Sequence, residues 1–364
     1  MLAVFRFVFC FCAFVFFLVN IACSQTNDTS AVAEEDYSSY GSPTESVQYC
    51  TQKVRRLSPT KLLSLGYEWQ NGGSYQPGPP TQGASPAIYY QPEKIRSVYG
   101  ARFAASAPVI SNTRMILNLG ANYYESKFRM EKPDGNSWLP AHNLLDDGMR
   151  TVGVSATLFK PWNARRFSIA FVQTDWSGNY TWSTLKERFP NPTFTFAGFY
   201  GWKPNENFMW ALGFTQSWRG GGIAYFPLLF LNYTINDKWG LEILAPARAH
   251  VRYNFSVRSL LMLGYEIEGN SYQMHLSENT SGQTNTYNQL ELRRSELKPR
   301  LIYEQQLYGF IWLSAQVGYR VSANFNLSES RNDGRNEYAY QAEKFGEGIG
   351  SAFYANFSIN LVSP

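Results

Sequence analysis

Residues 311–321 alternate between apolar and polar side chains, and this pattern restricts the fold more than any other feature of the sequence. Apolar side chains occupy the odd positions, and the even positions hold Trp312, Ser314, Gln316, Gly318 and Arg320. A period of two places successive side chains on opposite faces of a β-strand. The alternation recurs in residues 349–361, 251–256, 261–268, 115–123 and 151–158. The pattern predicts strands with one apolar and one polar face.

Many of these segments are long enough to cross a membrane. A tilted transmembrane strand needs roughly 9–11 residues, whereas strands of soluble proteins average about five or six. Fourteen segments are predicted, near residues 61–70, 95–106, 112–125, 148–159, 165–175, 193–202, 207–217, 224–235, 238–246, 248–256, 259–269, 289–304, 308–323 and 347–362. We therefore predict an all-β fold over residues 59–364, a transmembrane antiparallel up-and-down β-barrel of about 14 strands. Merging two pairs of segments gives the alternative of 12 strands.

The lengths of the connections alternate along the chain. Long polar connections are predicted at 70–94, 126–147, 176–192, 270–288 and 327–346, and short ones at 107–111, 160–164, 257–258 and 305–308. A short turn at 245–247 is the one exception, because it falls on the long-loop side. Outer-membrane barrels have short periplasmic turns and longer outer loops, whereas a soluble β-sandwich has no such asymmetry. We predict a barrel in the outer membrane of a Gram-negative bacterium, with both termini in the periplasm.

The N-terminus has the features of an export signal. Arg6 precedes an apolar run over residues 7–19, and the small residues Ala22 and Ser24 follow. About 13 apolar residues fall short of the roughly 20 that a membrane-spanning helix needs, so residues 1–24 are predicted to be a cleaved signal peptide. Lipidation at Cys23 is an alternative. Cleavage after residue 24 leaves Cys50 as the last cysteine, without a disulfide partner.

Residues 25–58 are polar and show no hydrophobic period. We interpret them as a flexible periplasmic segment, with a plug folded into the barrel lumen as the alternative.

Charged residues of both signs lie on the polar faces of the predicted strands. An Arg or Lys facing lipid near the midplane costs roughly 2–4 kcal/mol, so these side chains are expected to point into the lumen. The predicted lumen charge network comprises Arg252, Glu266, Glu268, Arg293, Glu296, Lys298, Arg300, Glu304 and Arg320. Two interpretations remain open: a mutually neutralised wall, or a constriction that selects ions or solutes.

The sequence argues against several function classes. The net charge is only +4 and the basic residues are scattered, which argues against nucleic-acid binding. No spacing of Cys or His suits zinc and no acidic loop has the calcium-binding period, so no metal or other cofactor is predicted. His142, followed by Asp146 and Asp147, and His275 are the candidates for a hydrolase, and we interpret both histidines as non-catalytic. We predict that the chain is not an enzyme.

The C-terminal half contains a series of turn and strand motifs over roughly residues 210–325. They are Arg219-Gly220-Gly221-Gly222, Pro227, Tyr233, Trp239-Gly240-Leu241, Ala245-Pro246-Ala247, Leu263-Gly264-Tyr265, Gly269, Leu292-Arg293-Arg294-Ser295-Glu296-Leu297 and Gly318-Tyr319-Arg320. In these motifs the chain resembles a family of outer-membrane β-barrel proteins of unknown function from Gram-negative bacteria. The resemblance implies a fold and a location, but no activity and no catalytic residues.

Three functions are compatible with these observations. The first is a passive channel or transport-related barrel whose lumen charges filter solutes. The second is a structural scaffold whose outer loops bind another envelope component, and a protein partner is possible. The third is an outer-membrane hydrolase acting through His142 or His275. In each case the barrel is expected to contact outer-membrane lipid.

Overall fold

The computed structural model describes residues 49–75, 93–131, 148–186, 189–219, 222–275, 290–329 and 351–363. In these residues, fourteen antiparallel strands follow one another in chain order, and β1 pairs with β14 to close a barrel. The strands are β1 (Lys61–Tyr75), β2 (Glu93–Ser111), β3 (Ile116–Met130), β4 (Met149–Pro161), β5 (Arg166–Gly178), β6 (Pro192–Asn205), β7 (Phe208–Arg219), β8 (Gly222–Thr234), β9 (Trp239–Ala245), β10 (Arg248–Ser256), β11 (Ser259–Met274), β12 (Leu290–Tyr308), β13 (Ile311–Glu329) and β14 (Ala352–Val362). The predicted fold and strand number are confirmed. No helix of the described residues is long and apolar enough to cross a bilayer.

The outward face of the barrel is apolar. Exposed apolar side chains extend around the wall, among them Leu65, Leu119, Val154, Phe196, Leu212, Phe214, Val251, Leu263, Phe357 and Ile359. Leu263, in the middle of this band, is 62% exposed. Soluble monomers rarely expose contiguous apolar patches larger than a few hundred Å². A continuous apolar belt is therefore the surface expected of a barrel that faces lipid.

Tight turns join the strands at one end of the barrel, called here the short-turn end. Three of them share the same hydrogen bonding. The side-chain oxygens of Asn112, Asn163 and Asn236 each accept hydrogen bonds from the backbone N–H groups two and three residues later, at 2.8–3.0 Å. Asparagine side chains stabilise tight turns in this way. The opposite end, where the longer connections lie in the sequence, is called the long-loop end.

The barrel wall is lower at β9 and β10, which have 7 and 9 residues. The turn at 246–247 joins them at the long-loop end, where the neighbouring strands continue further. From Leu229 toward the long-loop end, the direction called upward here, β8 pairs with β7 but with no other described strand. Above Ile267, β11 pairs with β12, and its Gln273 pairs with Gly178 of β5 on the far side of the barrel. The exceptional short turn predicted at 245–247 therefore coincides with an interruption in the wall.

The apolar belt leads to a prediction about stability in a bilayer. Leu263→Arg, in the middle of β11, is expected to lower the free energy of unfolding by about 2–4 kcal/mol, because the guanidinium would face hydrocarbon. Val257→Arg is the matched control, since Val257 lies in the short turn that precedes β11 and is 75% exposed. It should cost about 0–1 kcal/mol. Urea unfolding in lipid vesicles measures both, and equal effects would contradict a lipid-facing belt.

Candidate functional site

The interior of the barrel contains ion pairs that reach across the lumen. Arg102 on β2 contacts Glu68 on β1 at 2.8 Å and Glu268 on β11 at 3.0 Å. Lys298 on β12 contacts the same Glu268 at 2.6 Å and Glu68 at 3.6 Å. Four strands separate β2 from β11 around the ring. The Arg102–Glu268 pair therefore joins two non-adjacent parts of the wall.

A second cluster of charges lies beside the first, around Glu296. This carboxylate is 2% exposed and contacts Arg294, Arg320 at 3.0 Å and Lys298 at 3.7 Å. Charges removed from water need partners and hydrogen bonds to offset desolvation. Glu296 provides that compensation for several cations at once.

Further charged pairs extend the network toward the short-turn end. Arg300 contacts Glu266 and donates to His250 Nε2 at 3.3 Å. Lys61 pairs with Glu304 at 2.6 Å. On the wall formed by β9 and β10, Arg252 pairs with Glu242 at 2.8 Å. Nearer the long-loop end, Asp175 of β5 accepts hydrogen bonds from Gln173 and Asn122.

A cavity of about 140 Å³ lies within the charged region. Its lining includes Lys61, Ser64, Gly66, Glu68, Arg102, Tyr124, Glu268, Lys298, Arg300, Gln316, Tyr354 and Asn356. The volume can hold several water molecules. The Tyr354 side chain is 1% exposed, and its hydroxyl has no hydrogen-bond partner among the described residues. A water in the cavity would satisfy this hydroxyl.

The lumen narrows at the long-loop end, where β5 and β11 meet. The Asn179 side-chain amide donates to the His275 carbonyl, and the His275 N–H donates back to the Asn179 side chain, both at 2.9 Å. Gln273 accepts through its carbonyl from Asn179 N at 3.4 Å and through its side chain from Asn191 N at 2.7 Å. Below this seam, Asn270 donates to Thr151 across the lumen at 2.8 Å. These hydrogen bonds draw opposite parts of the wall together.

Residues 49–58 lie across the short-turn end, and apolar contacts hold them there. Cys50 and Val54 are buried in a cluster with Phe159, Phe167, Met209 and Ala211, whose side chains come from β4, β5 and β7. The Cys50 thiol also donates to the Arg166 carbonyl at 3.5 Å. Burial raises the pKa of the thiol above its ordinary value, although the nearby Lys203 opposes the shift. A thiol in this setting is protonated at neutral pH and reacts slowly.

Polar contacts anchor the same segment to the strands and turns around it. Lys203 Nζ donates to the Lys53 carbonyl at 2.9 Å, and the Arg55 N–H donates to the Glu206 carbonyl at 2.8 Å. The Ser58 hydroxyl donates to Glu242 on β9 at 2.6 Å. A further apolar cluster fills the short-turn end on the other side of the barrel, and it comprises Leu260, Met262, Ile302, Trp312 and Val362.

The structure places most of the predicted network residues together in the lumen. Arg252, Glu266, Glu268, Glu296, Lys298, Arg300, Glu304 and Arg320 all form ion pairs on the inner face. Arg293 does not join them. It alternates with Arg294 along β12 and therefore lies on the other face, where it contacts Glu291 at 3.0 Å. Arg294 takes the inward position. Whether the network selects solutes stays a prediction.

Several residues of the interior were not identified from the sequence. Glu68 and Arg102 lie on the polar faces of predicted strands, but only the closed ring brings them to Glu268 and Lys298. Residues 49–58 have no period that would reveal their contacts, and residues 25–48 lie outside the described residues. The flexible character assigned to residues 25–58 stays a prediction.

Of the hydrolase candidates, only His275 lies within the described residues. His142, Asp146 and Asp147 lie outside the described residues. The backbone N–H and carbonyl of His275 pair with Asn179 in the β5–β11 seam. In the part of the chain that is described, no three His, Cys, Asp or Glu side chains form a group that could hold a metal ion.

Comparison with known proteins assigns the chain to a family. Residues 142–361 match the family described as "Domain of unknown function (DUF6268)". Because this match covers more than half of the 364 residues, the chain belongs to that family. The match supports the resemblance to a family without an assigned activity. No curated protein matches the chain.

Solved outer-membrane proteins are similar to the chain at low identity. An outer membrane channel from Pseudomonas putida F1 is 11% identical with a TM-score of 0.37, and the match covers 84% of this chain and 97% of that one. A FadL homologue from Pseudomonas aeruginosa is 12% identical with a TM-score of 0.39, over 82% of this chain and 89% of that one. The toluene transporter TodX from P. putida is 10% identical with a TM-score of 0.32, over 85% and 91%. At these TM-scores the similarities carry no inference about function.

The cluster around Glu296 leads to a prediction about stability. Glu296→Gln is expected to lower the free energy of unfolding by about 3–5 kcal/mol, because it leaves buried cations without their counter-charge. Lys94→Gln is the control, since Lys94 and Glu131 form an exposed pair at 3.9 Å. That substitution should cost less than about 1 kcal/mol. Urea unfolding in vesicles compares the two, and similar losses would show that the buried network does not stabilise the barrel.

The burial of Cys50 leads to a prediction about thiol reactivity. In the folded barrel, Cys50 should react with a maleimide far more slowly than a free thiol, because it is buried and its pKa is raised. Val54→Asp places a charge in the apolar cluster and should release residues 49–58, which would increase the labelling rate at least about tenfold. Lys53→Asp is the control, because Lys53 is exposed on the same segment. Equal labelling of all three proteins would contradict a segment held in the barrel mouth.

Proposed function

We propose that this member of the family is an outer-membrane channel or transport-related barrel, held closed in this structure. The observation that carries the proposal is the way the lumen is blocked. Residues 49–58 at one end and the β5–β11 seam at the other are held mainly by contacts outside the strand ladder of the barrel. Both can separate while the ring of strands stays closed. Between them lie a polar cavity and a charged wall.

The proposed location is the outer membrane of a Gram-negative bacterium. The apolar belt and the alternation of short turns with longer connections support it. The predicted signal peptide over residues 1–24 supplies a route of export. In this orientation the short-turn end, with residues 49–58, faces the periplasm.

The energy that holds residues 49–58 suits reversible opening. Fully burying a side chain of the size of valine stabilises by about 1.5–3 kcal/mol, and few apolar side chains of the segment are buried. Its hydrogen bonds to Lys203, Glu206 and Glu242 add contacts that water can replace on release. The strand ladder, in contrast, closes the ring through all fourteen described strands at the level of β9 and β10.

The scaffold alternative is favoured by one observation. The Arg102–Glu268 and Lys298–Glu268 pairs fill the centre of the lumen with paired charges, as in a barrel whose interior only stabilises the wall. The proposal includes no catalytic step; the backbone of His275 takes part in the β5–β11 seam.

Conductance in a planar bilayer tests the channel proposal. The unmodified chain is expected to conduct rarely. Val54→Asp should raise the open fraction at least about tenfold, because its charge cannot stay in the apolar cluster. Lys53→Asp should behave like the unmodified chain.

The folded state of each variant is checked by comparing boiled and unboiled samples on a gel, and release of the segment by maleimide labelling of Cys50. A folded variant that carries both Val54→Asp and Asn179→Ala has lost contacts at both closures. If its Cys50 is labelled and it never conducts, the channel is rejected in favour of the scaffold.

A further inference from the structure

The interruption above the β9–β10 turn leaves two strand edges without neighbours. Residues 223–228 of β8 and 268–272 of β11 flank it, and on the sides that face it neither stretch pairs with any described strand. Pro227 lies in the open stretch of β8. Proline has no N–H to donate and is confined to strand edges, ends and bulges. The part of β8 near the long-loop end therefore has a sequence suited to an edge strand.

The interruption opens at the level of hydrocarbon. With 7 residues, β9 rises about 23 Å along its length, or about 18 Å along the barrel axis at a tilt of about 40°. The apolar band of an outer-membrane barrel is about 25 Å tall. On the two flanking strands, outward-facing Tyr225 and Ile267 are exposed beside or above the turn. Lipid chains are thus the neighbours of this opening.

The interior surface behind the opening is apolar. Phe226 on β8 is 49% exposed although it lies on the inner face, opposite to Tyr225. Leu228 and Phe230 follow on the same face, and the Phe230 ring contacts Phe199 of β6 edge to face with centroids 6.4 Å apart. Phe199 and Phe230 pack in turn on the cluster around Phe167. An apolar surface therefore continues from the opening into the barrel.

The guanidinium group of Arg248 lies at the edge of this apolar surface. Arg248 is the first residue after the turn and shares the inner face with its register partners Leu244 and Glu266. It is exposed and makes no ion pair with any described residue. Glu266 pairs with Arg300 instead. Arg248 is therefore available to an anionic group beside an apolar groove.

We propose that the gap between β8 and β11 is a lateral binding groove for a single-chain anionic amphiphile taken from the membrane. The groove is lined by Phe226, Leu228, Phe230, Phe199 and Leu244, which would contact the acyl chain. Arg248 would bind the anionic head group. The inference rests on the proposed placement of the barrel in an outer membrane and gives the proposed channel a substrate class. It separates the apolar surface formed by Phe199, Phe226 and Phe230 from the charged wall along β11–β2.

Photo-crosslinking in nanodiscs tests the groove. The probe is dodecanoate with a diazirine near the end of its chain, and the comparison is the neutral alcohol of the same length. Dodecanoate is expected to label β8 around Phe226 more strongly than the lipid-facing residues of β14. Arg248→Gln should reduce capture of dodecanoate about tenfold, the effect of one lost charge-assisted contact. Capture of the alcohol should not change, and Arg248→Lys should retain capture of dodecanoate.

Two matched variants control for general effects. Arg258→Gln removes an exposed cation in a short turn and should leave capture unchanged. Phe226→Asn should weaken capture of both probes, whereas Phe310→Asn, in another short turn, should not. Uniform labelling of all lipid-facing strands, with no effect of Arg248→Gln, would overturn the proposal.

The conductance of the variant that carries both Val54→Asp and Asn179→Ala separates this proposal from the channel. A conducting variant whose barrel shows no selective capture would reject the groove alone. Selective capture by a barrel that never conducts would retain the groove as a binding site and reject the channel.

Discussion

A backbone N–H or C=O group that meets hydrocarbon without a partner costs several kcal/mol, and no water is present to satisfy it. The ring of fourteen described strands removes most of that cost, because the pairing of β1 with β14 eliminates free edges along most of the wall. Once the ring is closed, alternation along each strand assigns one face to lipid and the other to the lumen. The belt around Leu263 and the interior network around Glu68 and Glu268 are two results of the same constraint.

The constraint also makes the open edges of β8 and β11 informative. Among the described strands, the short β9 and β10 leave β8 unpaired beyond Leu229 and β11 unpaired beyond Ile267 on the sides that face them, and β11 recovers part of its pairing by meeting β5 at Gly178. The β5–β11 seam narrows the lumen because β11, which has no described neighbour on its β10 side beyond that short strand, pairs with β5 instead. Behind the gap, Phe226 and Phe230 line an apolar surface, while the charges of β12 remain on the other side of the barrel. The gap in the wall and the apolar part of the interior therefore lie on the same side of the barrel.

The strands and their topology could be predicted from the sequence because a period of two and the parity of connection lengths are local signals. Most inward charges followed from the same period. Arg293 and Arg294 are adjacent, so a difference of one residue in phase decided which side chain enters the lumen, and the register with β11 settled it. The contact of Arg102 with Glu268 depends on closure of the ring across 166 residues, which no local pattern contains. Residues 49–58 are held through irregular contacts that follow no period.

The segment at the short-turn end and the low part of the wall use the same strands. Thr234 of β8 donates to the Arg55 carbonyl at 2.6 Å, and Ser58 donates to Glu242 of β9. Glu242 pairs in turn with Arg252 of β10, which also donates to Thr234 at 2.9 Å. Residues 55–58 therefore contact β8 and β9 directly, and β10 through Glu242. These strands lie beside or below the gap between β8 and β11. Release of this segment would remove contacts from β8, β9 and β10 together, because their inner faces share these hydrogen bonds.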